Sequence, residues 1–395
     1  MSASDNIDGR ESGMALEARQ QRILTTHVGS LPRPDALSEM MAGGDTAPAI
    51  YEGAVRDAVA AVVQRQVDLG IDIIDDGEQS KPGFVAYVHE RLGGLTPRDD
   101  MPSGFQETRE TRSFPQFYVC GHSGAAHPRV ATTEPIRYTG QRQLRTDIDN
   151  LKAALKDVSA ADVFMPAASP GIIEGYQVNR YYKTDEECLY AIAEAMREEY
   201  EAIVAAGFML QIDDPRLAMH YMLNPGKSVE DCRKWAQSRI AALNHALRNI
   251  PPERVRHHTC HGINMGPRTN DMEFRHIVDL VLTIRANFYS FEAANPRHEH
   301  EWRVWENVKL PAGKAIMPGV ITHSSVIVEH PDLVAERIGR FAGLVGRENV
   351  IASADCGFAS TPRGEPEVHP TIVWAKFASL VEGARRATRS LWGRA

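Results

Sequence analysis

Residues 184–215 read TDEECLYAIAEAMREEYEAIVAAGFMLQIDDP and contain one full structural period of the chain. Thr184-x-x-Glu187 is a capping-box start, in which a hydroxyl and a carboxylate satisfy the first free N–H groups of a helix. A pattern of helical period runs on to Gly207. The short run GFMLQIDDP at 207–215 then reads as a strand that ends on two carboxylates. The same succession recurs on both sides. Upstream strand candidates are RILTTHVGS near 22–30, GIDIIDDGE at 70–78 and ADVFMPAAS at 161–169. Downstream are RVRHHTCHG at 254–262, NFYSFEAAN at 287–295, KAIMPGVIT at 314–322 and NVIASADCG at 349–357. Helical patterns separate most of them, among them EGAVRDAVAAVVQRQVDLG, SVEDCRKWAQSRIAALNHALRN, FRHIVDLVLTIRAN and HPDLVAERIGRFAGLVGREN, and TIVWAKFASLVEGARRAT closes the series. Strands alternating with helices imply βαβ units and a parallel sheet. Eight of them predict an α/β fold, a single (β/α)₈ TIM barrel.

Residues 1–20 are polar and acidic and are expected to be a disordered lead-in to a barrel over 21–395. One stretch breaks the alternation. Residues 95–145 carry two aromatic or β-branched runs, RSFPQFYVC and RVATTEPIRYTG, about a Gly-rich turn. They read as a hairpin insertion after the second strand. It is expected either to cover the barrel mouth or to contact a second copy of the chain, giving a homo-oligomer.

The 395 residues are 43% hydrophobic and 24% charged, with a formal net charge of -8 and no long basic run. A nucleic-acid partner is therefore not expected. No apolar stretch approaches the roughly 20 residues a membrane helix needs, and the N-terminus has no h-region of a signal peptide. Five cysteines, Cys120, Cys188, Cys232, Cys260 and Cys356, are odd in number and irregular in spacing. That is no disulfide framework, and it points to a reducing cytoplasm. Cys188 and Cys232 fall in helical patterns and read as buried filler.

Catalytic residues of such barrels sit at the C-terminal ends of the strands. The reactive residues of this chain fall there. Gly29 and Ser30 end the first strand, Glu78 the second, Asp213 and Asp214 the fourth, His258 and Cys260 the fifth, Glu292 the sixth, His323 the seventh and Cys356 the eighth. His258 and Cys260 are two apart, so on a strand both side chains point to one side. With Glu292 and Cys356 they offer an imidazole, a carboxylate and two thiolates, a ligand set suited to Zn²⁺. The competing view is a barrel-lining histidine with two small core cysteines. His257 and His261 are rival imidazoles that would point away from Cys260. A metal held by two thiolates is a poor generator of hydroxide but lowers the pKa of an incoming thiol, and Glu292 could be displaced when that sulfur arrives. Alkyl transfer to sulfur is the chemistry this favours.

Glu78 and Asp213 could bind an ammonium group or, alternatively, cap the helices that follow. Asp214 is the weaker case. His323 is a candidate general acid, because imidazole titrates near neutrality, and equally a hydrogen-bonded loop histidine. Arg297, in NPRHEHEW, could clamp an anion or lie in a solvated loop.

Taken in order, LTTHVGSLPRP, GIDIIDDGEQ, QIDDP, HTCHG, SFEAANP, MPGVITHS and ADCGF resemble the catalytic C-terminal half of cobalamin-independent methionine synthase, over nearly all of residues 20–390. The resemblance implies zinc on His258, Cys260, Glu292 and Cys356. It implies homocysteine near Gly29 and Ser30 and on Glu78 and Asp213, with His323 as the acid in methyl transfer from a 5-methyltetrahydrofolate-type donor. Where folate-using members carry Gly-Pro-x-Thr after the third strand, this chain has Met165-Pro166-Ala167-Ala168-Ser169-Pro170-Gly171. A short branch of the superfamily, the epoxyalkane:coenzyme M transferases, is also similar, and it implies the alternative of thiol addition to an epoxide. A barrel with a structural zinc and no catalysis is an expectation of another class.

Overall fold

The computed structural model describes residues 18–44, 46–98, 107–119, 130–262, 266–359 and 368–393. The disordered lead-in expected over residues 1–20 lies almost wholly outside them. Among the described residues are eleven strands: β1 (Leu24–Thr25), β2 (Ile73–Ile74), β3 (Leu92–Pro97), β4 (Val130–Tyr138), β5 (Asp162–Ala168), β6 (Gln177–Asn179), β7 (Met209–Asp213), β8 (Val255–Thr259), β9 (Phe288–Phe291), β10 (Ala315–Ile321) and β11 (Ile351–Ala354). Eight form one parallel sheet in the order β1-β11-β10-β9-β8-β7-β5-β2. The seam between β1 and β2 is closed by hydrogen bonds. Asp72 N–H donates to the Thr25 carbonyl (3.2 Å), Thr25 N–H to the Asp72 carboxylate (2.8 Å), and the Thr26 hydroxyl to the Ile73 carbonyl (3.0 Å). The sheet is thus a (β/α)₈ barrel, as the alternation predicts.

Strand periodicity sorts the core into two layers. Leu24, Ile73, Phe164, Met209, Phe288, Ala315, Met317 and Ile351 pack together inside the barrel. The alternate strand residues pack outward against the helices in a much larger cluster. β8 contributes Arg256 to the interior, fully buried. A buried guanidinium is tolerated only when its N–H groups find acceptors. Here Nη1 donates to Thr26 Oγ1 (3.0 Å) and Nη2 to the His27 carbonyl (2.6 Å), Nε has no partner, and Cζ lies 3.8 Å from the Phe164 ring centre. Arg256 forms the floor beneath the barrel mouth.

The helix Asp185–Ala205 begins where the capping signal predicts, with Thr184 accepting from Glu187 N–H. The return arm of the box goes to Lys183 N–H (3.1 Å). FRHIVDLVLTIRAN departs from its expected long helix. It gives a 3₁₀ turn, Phe274–His276, and one α-turn, Val278–Val281. Its β-branched residues are poor helix formers, and the Thr283 hydroxyl bonds the Leu280 carbonyl (2.6 Å). No helix among the described residues is long and apolar enough to cross a membrane.

The insertion is a hairpin, but its strands differ from those expected. β3 pairs antiparallel with β4, and β6 adds parallel to β4. RSFPQFYVC does not form a strand. Residues Arg109–Ser113 and Pro115–Val119 are helical turns, the first opened by a Thr108–Thr111 capping box. Pro115 starts the second, a position proline favours, whereas it would remove a hydrogen bond from a strand. Cys120 and the Gly-rich turn lie outside the described residues. Buried Glu199 ties the hairpin to the barrel, accepting from the hydroxyls of Tyr87 (3.1 Å) and Tyr138 (2.6 Å). The turn at 109–113 docks on mouth loops: Glu110 accepts from Asn270 N–H (2.7 Å), and Arg109 donates to the carbonyls of Tyr221 (2.9 Å) and Lys227 (2.6 Å).

Candidate active site at the barrel mouth

Register places the site. Asp213 on β7 is paired with His258 on β8, and His258 with Ser290 on β9. Period two then lifts Cys260 and Glu292 one level above them on the same inward face. Ser290 Oγ lies 3.1 Å from His258 Nδ1, while His258 Nε2 is buried with no hydrogen-bond partner. Cys356, just beyond β11, brings its sulfur to 3.6 Å from that of Cys260. A disulfide would need about 2.05 Å, and both cysteines are free. A ring nitrogen of His258 and the two sulfurs all lie within 4.8 Å of one another.

The electrostatics follow from this packing. The hydrogen bond from Cys356, opposed by burial and helped by His258, holds the Cys260 thiol well below its usual range. The same bond and burial push Cys356 well above it. Burial lowers the His258 imidazole, but the charge on Cys260, with those of Asp213 and Glu292, raises it overall. The donors suit a metal. Two thiolates about 2.3 Å from a tetrahedral zinc stand about 3.8 Å apart, close to the observed sulfur separation. The unpartnered Nε2 supplies the lone pair once Nδ1 is committed to Ser290.

Glu292 sits at the strand end as the spacing predicts, but its carboxylate is not in this three-residue group. Oε1 accepts from His261 N–H (2.8 Å), and Oε2 from Arg268 Nη2 (2.7 Å) and Asn295 Nδ2 (2.7 Å). Burial would raise its pKa; Arg268 and His261 outweigh it and hold the group well below the carboxylate range. Asp355, the residue before Cys356, clamps the Glu292 loop. Its two oxygens accept from the N–H groups of Ala293 (2.7 Å), Ala294 (2.8 Å) and Asn295 (2.9 Å) and from Asn295 Nδ2 (3.0 Å). Gly319 carries no side chain because a Cβ would stand 2.7 Å from the Asp355 backbone.

The other expected residues stand on the remaining strand ends of the same ring. Gly29 has φ +123°, and a Cβ there would meet Glu78 Oε1 at 2.6 Å and Pro166 Cγ at 2.9 Å. A Cβ on Gly357 would collide with Ser30 Oγ, so Ser30 reaches the Cys356 strand end. Asp213 accepts from Gln211 Nε2 (2.8 Å). Burial, with the Glu78 charge adding to it, pushes Asp213 up to about 7. His323, just beyond β10, is buried with neither ring nitrogen hydrogen-bonded. Glu78 (φ 54°) and Arg268 (φ 57°) are the non-glycine residues with positive φ among those described. Such backbone costs roughly 1–3 kcal/mol and persists where its surroundings enforce it, often at functional sites.

The remaining candidates have other partners. Asp214 is buried in the turn after β7, its N–H donating to the His258 carbonyl (2.9 Å), and it does not cap the helix that follows. Arg297 donates to the carbonyls of Arg268 (2.7 Å) and Thr269 (3.0 Å). His257 points away from Cys260, bonded to Thr259 Oγ1 (3.2 Å). His261 bonds the Met272 carbonyl (3.0 Å) and stacks on His298. His261, Asp271 and His298 form a second close group. His298, however, is bonded through Nδ1 to Glu301 (2.8 Å) and through Nε2 to Asp271 (3.0 Å). Those carboxylates overcome burial and raise it to about 9, so it is an imidazolium without a lone pair for a metal. Sequence reading missed Arg268, Ser290 and Asn295. Asp355 stood in the quoted Asp-Cys-Gly, but nothing local shows what it holds.

The chain matches the family described as "Cobalamin-independent synthase, Catalytic domain" over residues 23–132 and 172–374. The unmatched 133–171 include β5 and the start of the loop after it. The chain is 22% identical over 371 residues to the methionine synthase of Thermococcus kodakarensis, covering 93% of this chain and 94% of that protein. It is 24% identical over 358 residues to the 5-methyltetrahydropteroyltriglutamate–homocysteine methyltransferase of Thermotoga petrophila, covering 88% of this chain and 43% of that longer protein. Its fold is similar to that of a B12-independent methionine synthase from Shewanella sp. W3-18-1, with a TM-score of 0.70 at 20% identity, covering 94% of this chain and 99% of the other. With the family match spanning both walls of the mouth, the chain belongs to the cobalamin-independent methionine synthase family, in its catalytic domain.

Proposed function

We propose that the protein is a zinc-dependent methyltransferase that moves a methyl group from a 5-methyltetrahydrofolate-type donor to the thiol of homocysteine. The observation that carries this is the buried pair of sulfurs 3.6 Å apart beside His258, at the mouth of a barrel. The names of the relatives support the substrate class. His258, Cys260 and Cys356 would hold the zinc, with Glu292 as an exchangeable fourth donor. Bound zinc would supply the Lewis acidity that keeps a thiol ionised at neutral pH.

The other roles belong to the chain's own side chains. Glu78 and Asp213 would receive the ammonium of homocysteine. An arriving cation would relieve the repulsion between them and return Asp213 toward its ordinary range. Gly29 and Ser30 would line the amino-acid end, where a larger residue than Gly29 leaves no room. The thiolate attacks the methyl carbon, and His323 hands a ring proton to the departing donor; its unpartnered nitrogens support that role. A reducing, cytoplasmic setting suits a site built from free thiols.

The test is direct: zinc-loaded protein, homocysteine and methyltetrahydrofolate, with methionine followed by mass spectrometry. Catalytic turnover supports the donor and the acceptor together. No methionine from protein with zinc bound overturns the folate donor and turns the assay to other alkyl donors, epoxides first.

A further inference from the structure

Arg268 lies on the loop after β8, 4% exposed and with its backbone in the left-handed region. Its Nη2 meets Glu292 Oε2 at 2.7 Å, and its Nε meets Asp271 Oδ2 at 2.9 Å. It is fixed from behind. Asp271 is held in turn by His298, which is held by Glu301, whose other oxygen accepts from Phe274 N–H (2.6 Å). Arg297 pins the carbonyls of residues 268 and 269. Asn295 Nδ2 and His261 N–H complete the donors around Glu292, and Asn295 is itself held by Asp355. The carboxylate thus rests in a preformed cradle, one level above His258 and outside the His–Cys–Cys group.

We propose that Arg268 is a positioning residue, a built dock that competes with the metal for Glu292 and so keeps the fourth donor place exchangeable for a substrate thiol. The inference rests on the zinc–thiol function proposed above. A carboxylate released inside a buried site would be an unpaired anion, which is costly. A guanidinium already oriented by Asp271 removes that cost. The left-handed backbone at a long, charged residue is explained in the same way: the loop bends there to set the guanidinium between Glu292 and Asp271.

The sign of one measurement separates this role from an ordinary supporting one. Partners that orient metal ligands cost 10- to 100-fold in metal affinity when removed; a competitor does the opposite. The zinc dissociation constant is measured by chelator competition without thiol. Homocysteine binding is read from the sulfur-to-metal absorption of the cobalt-substituted protein. Arg268→Met is expected to bind zinc about tenfold more tightly than the wild type, and homocysteine about tenfold more weakly. Both effects should vanish in a Glu292→Gln background. Zinc binding equal to or weaker than wild type in Arg268→Met overturns the assignment, as does an effect that persists without the Glu292 charge. If Arg268→Met does not fold, Arg268→Lys, which keeps the charge and loses the fork, is expected to shift both constants in the same directions by less; no shift overturns the proposal. A wild type that binds no zinc, or whose cobalt spectrum ignores homocysteine, defeats the proposed function and this inference with it. A normal wild type beside a variant of the wrong sign defeats the Arg268 assignment alone.

Discussion

Replacing Asp355 by asparagine should unfasten the site from the barrel while leaving every proposed metal donor in the sequence. The wild-type carboxylate accepts four hydrogen bonds, two on each oxygen, all from the loop that carries Glu292 and Asn295. An amide keeps one acceptor oxygen and turns N–H donors toward the other two. If the oxygen stays with Ala293 and Ala294, the N–H and Nδ2 of Asn295 are left buried without acceptors. Each unsatisfied buried donor costs about 1–3 kcal/mol, so the loss is about 4 kcal/mol. That is a large fraction of the 5–15 kcal/mol that typically separates folded from unfolded protein. With an unfolding entropy near 2.1 cal/mol/K per residue, about 0.8 kcal/mol/K for this chain, the melting temperature should fall by about 5 °C. The assay is a thermal melt of the metal-free protein, paired with zinc affinity by chelator competition. Zinc should bind more weakly as well, because Cys356 adjoins the broken clamp. A melting temperature within 1 °C of wild type, at about 1 kcal/mol or less of lost stability, would refute the reasoning. The four bonds would then be replaceable by water.

Cys356→Ser should lose zinc, measured as metal per chain, while keeping its far-ultraviolet dichroism, since the site lies at the mouth and not in the core; full metal content would exclude Cys356 as a ligand. Glu78→Gln should weaken homocysteine at least tenfold, about 1.4 kcal/mol, and coenzyme M, which has no ammonium, far less; equal losses would remove Glu78 from amine binding. Asp214 is raised to about 7, chiefly by burial. An acid raised above its unfolded value near 3.9 binds more protons when folded, so its contribution is full below about pH 4 and is lost as pH rises through 7. Metal-free Asp214→Asn should therefore lose less stability than wild type between pH 5 and 8, by a few kcal/mol, in urea titrations. Identical slopes would show that Asp214 is not raised.

Much of this was legible along the chain. The helix–strand alternation gives the barrel because strand and helix periods are local properties, visible within a dozen residues. The His258-x-Cys260 spacing gives a shared inward face for the same reason. Legibility failed where competing local signals were close in strength. RSFPQFYVC has strand-forming residues, yet Pro115 and the Thr108 cap made it helical turns, and the antiparallel partner of β4 came from residues 92–97. FRHIVDLVLTIRAN kept its apolar period while its β-branched residues shortened the helix to one turn.

The sequence alone determined the barrel, the level at which each reactive side chain sits, and the donor types that suit a metal. Only the tertiary structure decided how those donors stand toward one another. Cys260 and Cys356 are 96 residues apart and meet because β8 and β11 close into one ring. Glu292 occupies its foreseen place, yet its carboxylate faces Arg268 from a loop 24 residues earlier. A strand's period fixes the direction of a Cα–Cβ bond. The orientation of a charged terminus is set by whichever buried partner satisfies it, and distant loops supply those partners.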